Sequence, residues 1–210
     1  MITLVIIGVI AAITVPTLMN KTNNQEYVTR LKKAYSTLSQ VTNRILIEEG
    51  KPRAVDGGWL KSNIDFYNMY RKYLVNAKEC GSENGCFEQT YKSLDGTRNV
   101  YYNNDTGHAR LILADGVQIL FDGVGVNSLD TQCRRGLSDV GSVDVCTGIL
   151  VDVNGARKPN VFGRDLFYFV LKENGLYPAG CDDPGYCNGP SATFGWGCAC
   201  KVIREGKIDY

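Results

Sequence analysis

The segment Met1 to Asn20 contains no charged residue and runs directly into a polar stretch with helical character. It reads MITLVIIGVIAAITVPTLMN, and the amphipathic stretch that follows is Gln25 to Glu49. A helix of about 20 residues is about 30 Å long, which is enough to cross the hydrocarbon core of a bilayer. The sequence therefore predicts an apolar rod that lipid or other protein must cover, joined to an amphipathic rod.

Two common kinds of apolar segment are alternatives for this stretch. A secretory signal peptide has a basic region before its apolar core, and no such region precedes this core. A plain membrane anchor agrees with the length of the stretch. However, Gly8, Thr14 and Pro16 interrupt the apolar run, and neither alternative requires this specific order of residues.

The residue order resembles that of one protein family. The stretch IIGVIAAITVPTLMNK, followed by YVTRLKKAYSTLSQ, resembles the N-terminal helix of type IV pilins and of type II secretion pseudopilins. The positions that match the family pattern are Gly8, Ala11, Ala12, Pro16, Thr17 and Leu18. The resemblance implies an α+β fold, in which a long protruding N-terminal helix packs on an antiparallel β-sheet head with disulfide-stapled loops.

The same resemblance implies a function. It leads us to expect a structural subunit of an extracellular, type IV pilus-like filament that polymerises through its apolar helix. A type II secretion pseudopilin or a minor pilin is the alternative, and a membrane-tethered binding module that does not polymerise is a further one. The implied partners are other copies of the chain in a helical filament, the bacterial inner membrane before assembly, prepilin peptidase, and the pilus or secretion assembly machinery.

The resemblance also assigns roles within the apolar helix. Aligned on Gly8 and Pro16, the chain is expected to begin a few residues inside a mature pilin, after the family's leader, cleavage-site glycine, phenylalanine and early glutamate. In filaments of the family the segment from this glycine to this proline is often stretched out of helix. A kinked helix is the alternative, because Pro16 removes a backbone hydrogen bond at a cost of about 3 kcal/mol. The residues expected in the filament core or the membrane are Ile2, Leu4, Val5, Ile6, Ile7, Gly8, Val9, Ile10, Ala11, Ala12, Ile13, Val15, Pro16 and Leu18.

The second part of the rod is predicted to hold the head. Apolar residues recur there at the spacing of one helix face, and Gly50 with Pro52 predicts the end of the helix. We expect one helix about 70 Å long. The predicted organisation is an apolar protruding helix at 1–24, the amphipathic half of the same helix at 25–50, and a globular head at 51–210. The helix-face residues are Val28, Leu31, Tyr35, Leu38, Val41 or Thr42, and Ile45.

The head is predicted to be mostly β. A polar loop region is expected from Lys51 to about Thr97. The strands after it are expected to begin with an antiparallel meander around the turn-rich stretch Asn104 to His108 and the Asp115-Gly116 turn, and a further turn is expected at Asn174-Gly175. The stretches ILVDVNGARKPNVFGRDLFYFVLKENGLYP and, more loosely, CACKVIREGKIDY resemble sequences of pilin-like proteins. The predicted strands are Asn99 to Asn103, Ala109 to Leu113, Val117 to Phe121, Gly148 to Val153, Leu166 to Leu171 and Leu176-Tyr177.

Eight cysteines in 210 residues predict disulfide bonds in an oxidising compartment. None of their spacings is the CxxC of a zinc site. The local pairs Cys80 with Cys86 and Cys133 with Cys146 are the expected bonds. The remaining four, Cys181, Cys187, Cys198 and Cys200, allow three connectivities. The nested pairs Cys181–Cys200 and Cys187–Cys198 are preferred, because neighbours such as Cys198 and Cys200 are poorly placed to bond each other.

Catalysis and nucleic-acid binding have little support. His108 is the one histidine in the sequence, and its place beside a predicted turn favours a surface or packing role over a general base. No GxSxG, HExxH or P-loop motif is present, so we expect no enzymatic activity. With a net charge of +1 and dispersed Lys and Arg residues, no specific nucleic-acid partner is indicated.

Calcium is the one metal that the sequence suggests. Asp152, Asn154 and Asp165 are hard oxygen ligands in a loop between predicted strands, and Gly155 permits a sharp turn there. Some secretion pseudopilins bind calcium in C-terminal loops, and the resemblance extends that expectation to these residues. The pattern lacks the full EF-hand set, and side chains that stabilise a turn are the alternative that we favour.

Overall fold

The computed structural model has an α+β architecture in which one long helix lies on a six-stranded antiparallel sheet. The structure describes residues 2–52, 58–74, 77–82, 86–88, 90–102, 108–122, 133, 135–137, 141–187 and 193–210. Within helices and strands, the side chains of residues 2–11, 13, 15–21, 63 and 135–137 are outside the description.

The first helix, α1, spans Ile2–Glu48 as a single element of 47 residues, which is about 70 Å. It runs through Pro16 without a break in the helix assignment, so the chain has the helical alternative of the 8–16 segment rather than a melted one. Gly50 follows the helix with φ of +82°, a left-handed conformation that glycine adopts without steric cost. The predicted helix and its end are therefore confirmed.

The predicted helix face is the one that is buried. Leu31, Leu38 and Ile45 are fully buried, and Tyr35 is half-buried with its ring stacked on Phe169 at 5.5 Å between ring centroids. Buried alongside them are Tyr27, Val28, Ala34, Val41 and Thr42. This stripe starts at Tyr27, so the head covers the second half of α1.

The predicted polar loop from Lys51 to about Thr97 is wrong in part, because it contains regular structure. A second helix, α2, spans Asn63–Tyr73, and strands β1 and β2 span Lys78–Gly81 and Thr90–Lys92. The start of α2 is capped by Ser62, whose Oγ accepts from the Asp65 backbone N–H. The sequence does carry signals for this helix, namely the cap formed by Ser62 and Asp65 and the i, i+4 pair of buried aromatic residues Phe66 and Tyr70. The loop prediction missed them because it considered only the overall polarity of the region.

The further strands of the described chain are β3 (Asn99–Tyr101), β4 (His108–Ile112), β5 (Gln118–Asp122), β6 (Arg135–Leu137), β7 (Ser142–Val145), β8 (Thr147–Asp152), β9 (Leu166–Lys172) and β10 (Gly175–Pro178). The main sheet is antiparallel throughout, in the order β1-β4-β5-β8-β9-β10. Its β4–β5 hairpin turns at Asp115-Gly116, and its β9–β10 hairpin turns at Glu173-Asn174, so both turns fall close to their predicted places.

The first part of the predicted meander is wrong in its pairing. β3 pairs with β2 in a separate two-stranded sheet, while β4 pairs with β1 on one side and with β5 on the other. Residues 103–107, which include the predicted strand end at Asn103 and all of the predicted turn-rich stretch except His108, lie outside the described residues. Because β1 occupies the free edge of β4, β3 is left to pair with β2.

The sheet is covered on both faces. One face packs on α1, α2 and the C-terminal helix α3, which spans Ala199–Glu205, and its side chains include Phe121, Ile149 and Phe169. The other face packs on β2 and on the loops around Phe162 and Trp196. All six residues of β8 are buried, as expected for a central strand between two layers.

Four disulfide bonds staple the loops of the head. They are Cys80–Cys86, Cys133–Cys146, Cys181–Cys200 and Cys187–Cys198, which are the predicted pairs. The last two join the segment after β10, which includes a 3₁₀ turn at Pro184–Cys187, to the 3₁₀ turn at Trp196–Cys198 and to α3. Bonds of this number indicate that the head folds in an oxidising, extracellular or periplasmic environment.

All eight cysteines are expected to resist alkylation in the denatured, non-reduced chain, because each is oxidised in an intrachain bond. Mass measurement after alkylation should find no label, and a matched sample reduced beforehand should carry eight. Replacing Cys187 and Cys198 together by serine should lower the free energy of unfolding by about 2–4 kcal/mol. Label on several thiols of the non-reduced sample would contradict the disulfide assignment.

Candidate functional site at the base of the head

The residues predicted for a filament core all belong to α1. Ala12 is the one of them whose side chain is described, and it is exposed, as is the nearby Thr14. Two residues apart on a helix point in nearly opposite directions. At this level of α1 the head therefore covers neither of two nearly opposite sides of the helix.

The described part of the chain contains no helix that is long and apolar enough to cross a membrane. Apart from Ala12 and Thr14, the side chains of 2–21 are outside the description.

Polar contacts fix α1 to the base of the head, where the rod enters it. The Asn24 side-chain amide donates to the backbone carbonyl of Ile208 at 3.1 Å, and Arg30 donates to that of Val153 at 2.9 Å. Glu26 forms ion pairs with Arg30 and with Arg157. These contacts hold two successive turns of α1, from Asn24 to Arg30, against the segment after β8 and the C-terminal tail.

Next to this junction lies a turn held together by two buried carboxylates. Asp152 Oδ1 accepts from the backbone N–H groups of Asn154 and Gly155 at 3.0 and 2.8 Å. Asp152 Oδ2 accepts from the Tyr91 hydroxyl at 2.5 Å. Asp165 lies on the other side of the turn and is also fully buried. The predicted trio of Asp152, Asn154 and Asp165 is thus brought together in space.

Asp165 closes the turn in the same manner. Its Oδ1 accepts from the Val161 N–H at 2.6 Å, and its Oδ2 accepts from the Asn160 N–H at 2.7 Å. The Asn154 side-chain amide donates both to Asp165 Oδ2 and to the Tyr27 hydroxyl of α1, each at 3.1 Å. The turn is therefore hydrogen-bonded to the helix. The two partners, Asn154 and Tyr27, are 127 residues apart in the chain, so no local sequence signal reveals this contact.

Burial changes the acidity of both carboxyl groups. It raises the pKa of Asp152 to about 8, and the nearby Asp165 charge adds to the rise, whereas the hydrogen bond from Tyr91 opposes it. Burial also raises the pKa of Asp165, against the hydrogen bonds from Val161 and Asn160. Two carboxyl groups close together in a dry site disfavour each other's charge, so the pair holds a proton more tightly than exposed carboxyls do.

The fit of calcium to this turn is mixed. The oxygen atoms are of the type that calcium prefers, and Asn154 Oδ1, Asn160 Oδ1 and Gln118 Oε1 are buried without a hydrogen-bond donor in the described part of the chain. However, all four carboxylate oxygens of Asp152 and Asp165 already accept hydrogen bonds. The described residues contain no group of three or more His, Cys, Asp or Glu side chains able to hold a metal. Calcium at these residues stays a prediction.

His108 has the packing surroundings that were predicted for it. It lies at the start of β4, half-buried, with its ring edge-on to Tyr102 at 5.8 Å between centroids. Its Nε2 is 3.5 Å from Asp122 Oδ1, and Asp122 Oδ2 accepts from the Tyr168 hydroxyl at 2.9 Å. The cluster ties β4, β5 and β9 together on the sheet face away from α1.

Comparison with family models, with curated proteins and with solved structures finds no match to this chain.

The melting temperature of the chain should fall as the pH is raised from 5 to 8, in part because of Asp152. An unfolded aspartate releases its proton near pH 4, whereas folded Asp152 holds its proton up to about pH 8, so rising pH favours the unfolded chain. Asp152→Asn removes this titration and keeps an oxygen to accept the turn's N–H groups. The melting temperature of this variant should depend less on pH. A change of about 1 kcal/mol in the free energy of unfolding shifts the melting temperature of a chain of this size by about 2–4 °C.

Asp183→Asn is the matched control, because it makes the same substitution at an exposed aspartate, and the effect of Asp152→Asn is measured as the difference from this control. An unaltered pH dependence in Asp152→Asn would show that burial does not raise this pKa. Repeating the series at pH 8 with calcium and with a chelator also tests the ion. If calcium binds, it stabilises the wild type and not the Asp165→Ala variant.

Proposed function

We propose that this chain is a structural subunit of an extracellular type IV pilus-like filament, which polymerises through the apolar first half of α1. The observation that carries the proposal is the division of α1 into two parts. The head buries one face of the helix from Tyr27 to Ile45, while the uncharged sequence 2–20 continues the same helix beyond that contact. Ala12 and Thr14, nearly opposite each other on this extension, are both exposed.

Physical chemistry links this division to polymerisation. An uncharged rod in water must bury its surface, and other copies of the same rod offer a suitable partner. A head-to-tail contact whose rotation does not close gives an open helical filament. Gly8, Ala11 and Ala12 are small residues that permit neighbouring rods to approach closely. Heads joined to a bundle of such rods would then form the outside of the filament.

The free energy at stake in covering the rod is large. Burying it removes on the order of 1,500 Å² of mostly apolar surface, which corresponds to tens of kcal/mol at about 25 cal/mol/Å² before ordering costs. A lysine in the middle of such a core would lie far from water and without a partner, so it should not be tolerated.

The subunit has a membrane-bound stage before it polymerises. Before assembly the rod lies in a bacterial inner membrane, and prepilin peptidase and the assembly machinery of a pilus or a secretion system act on it there. The oxidised head faces the periplasm, in agreement with its four disulfides. A secretion pseudopilin or a minor pilin differs from this in the length and abundance of its filament. A tethered binding module would use the same rod as an anchor alone.

Ile10→Lys should abolish filament formation while the head still folds, because position 10 precedes every contact of the buried stripe. The matched control is Ile47→Lys, which places the same charge on the same helix at a side chain that is 84% exposed. Material sheared from cells should show filaments by electron microscopy, labelled by an antibody to the head, for wild type and for Ile47→Lys.

Labelled filaments that persist with Ile10→Lys would contradict the buried-rod mechanism. If wild-type material gives no filament that the antibody labels, while the chain is found in the membrane fraction, the anchor function is correct instead. Antibody binding to soluble extract reports whether the head of each variant is folded.

A further inference from the structure

A small cavity lies at the base of the head, beside the point where α1 enters it. Its volume is about 320 Å³, and it is open to solvent between α1 and the turn after β8. We call it the base notch. The residues that line it are Asn23, Asn24, Tyr27, Lys158, Pro159 and Arg164.

The lining of the base notch is positive and rich in hydrogen-bond donors. Lys158 and Arg164 are exposed cations carried by the turn, and none of the described lining residues is acidic. The Tyr27 hydroxyl accepts a hydrogen bond from Asn154, so its own proton remains for donation into the notch. A lysine, an arginine, a hydroxyl and side-chain amides together form a donor set that suits a phosphate group.

Neighbouring acidic groups do not cancel this charge. Glu26, one residue before Tyr27 on α1, is paired with both Arg30 and Arg157. Asp165, beside Arg164 in the chain, is buried and holds its carboxylate oxygens on the backbone of the turn. The base notch therefore presents two cations to whatever lies beneath the head.

The notch also lies at a defined distance from the apolar rod. Asn20 ends the uncharged sequence, and Asn23 and Asn24 follow three and four residues later on the same helix, about 5–6 Å along its axis. The polar headgroup layer on each side of a bilayer is about 5–8 Å thick. If the rod occupies the hydrocarbon core, the notch lies at the depth of the lipid phosphates.

We propose that the base notch binds the phosphate group of an anionic lipid while the subunit is held in the membrane. This inference rests on the proposed function, because it needs the rod to lie in a bilayer before assembly. Lys158 and Arg164 provide the charge, and Tyr27 and the two asparagines provide neutral donors. The bound phosphate holds the head against the membrane surface until the rod leaves the bilayer.

The test uses the full chain in detergent micelles that contain equal amounts of phosphatidylglycerol and phosphatidylcholine. Native mass spectrometry counts the lipid molecules that stay on the released chain. The wild type should retain phosphatidylglycerol preferentially. Because a basic residue near an anionic surface contributes about 1 kcal/mol, Lys158→Gln/Arg164→Gln should lower this preference about thirty-fold.

The matched control is Lys61→Gln/Lys72→Gln, which removes the same charge far from the notch. Lys61 follows Leu60, whose backbone N–H donates to the Pro52 carbonyl just beyond the C-terminal end of α1. Lys72 is paired with Glu49 at the other end of α1, about 35 Å from Asn24. This control should keep the lipid preference of the wild type. Equal retention of the two lipids by the wild type, or an equal loss of preference in both double variants, would overturn the proposal.

A second arm separates a lipid from a soluble phosphate. Glycerol phosphate should displace phosphatidylglycerol only at high concentration, because it lacks the acyl chains that hold a lipid next to the rod. If the wild type binds glycerol phosphate saturably but shows no lipid preference, the ligand of the notch is a soluble phosphate and not a lipid. If the wild type forms filaments but shows no lipid preference, the base notch alone is refuted, whereas a wild type that has the preference but forms no filament refutes the filament alone.

Discussion

Burial of one face of α1 against the sheet organises the whole head. Leu31, Leu38 and Ile45 are fully buried, and each such side chain contributes about 1.5–3 kcal/mol when it is removed from water. Tyr35 stacks on Phe169 of β9, and the Thr42 and Tyr70 hydroxyls meet at 2.5 Å between α1 and α2. The helix is thus the centre of the core on its side of the sheet.

This packing has a consequence for the other half of α1. Because a helix is stiff over several turns, fixing residues 27–45 also fixes the direction of the residues before them. At the base, hydrogen bonds from Asn24, Arg30 and Asn154 hold the helix to the tail and to the Asp152–Asp165 turn. The proposed filament would need every subunit to present its rod and head at one angle, and these contacts would set that angle.

The Asp152–Asp165 turn combines two properties that usually conflict. Its carboxylates satisfy the backbone of a sharp turn, yet their burial makes charge costly at neutral pH. The exposed cations Lys158 and Arg164 project from the same turn. One loop thereby anchors the helix on its inner side and presents positive charge on its outer side, where the base notch opens.

Elements with a long and regular pattern could be predicted from the sequence. α1 has a sustained helical period with a Gly50 stop, and β4, β5, β8 and β9 are short apolar strands bounded by turns. The disulfides between Cys80 and Cys86 and between Cys133 and Cys146 are local, so their spacing was sufficient.

What escaped prediction depends on contacts between distant parts of the chain. α2 was not predicted because the residues around it are polar. β3 pairs with β2, because β1 pairs with the edge of β4 that the predicted meander gave to β3. In the candidate site, the trio Asp152, Asn154 and Asp165 was recognised because it is local. Its links to Tyr27 and Tyr91, and the base notch itself, join residues 61 or more positions apart and have no local signal.

Helical reconstruction of sheared material by electron cryomicroscopy would show directly where the apolar half of α1 lies. We expect a filament whose centre is a bundle of helices formed by residues 2–24, with the disulfide-stapled heads outside and attached through the second half of α1. A filament built by head-to-head contacts with these helices at its surface would refute the buried-rod mechanism. So would the absence of any filament from cells in which the oxidised chain is abundant in the membrane.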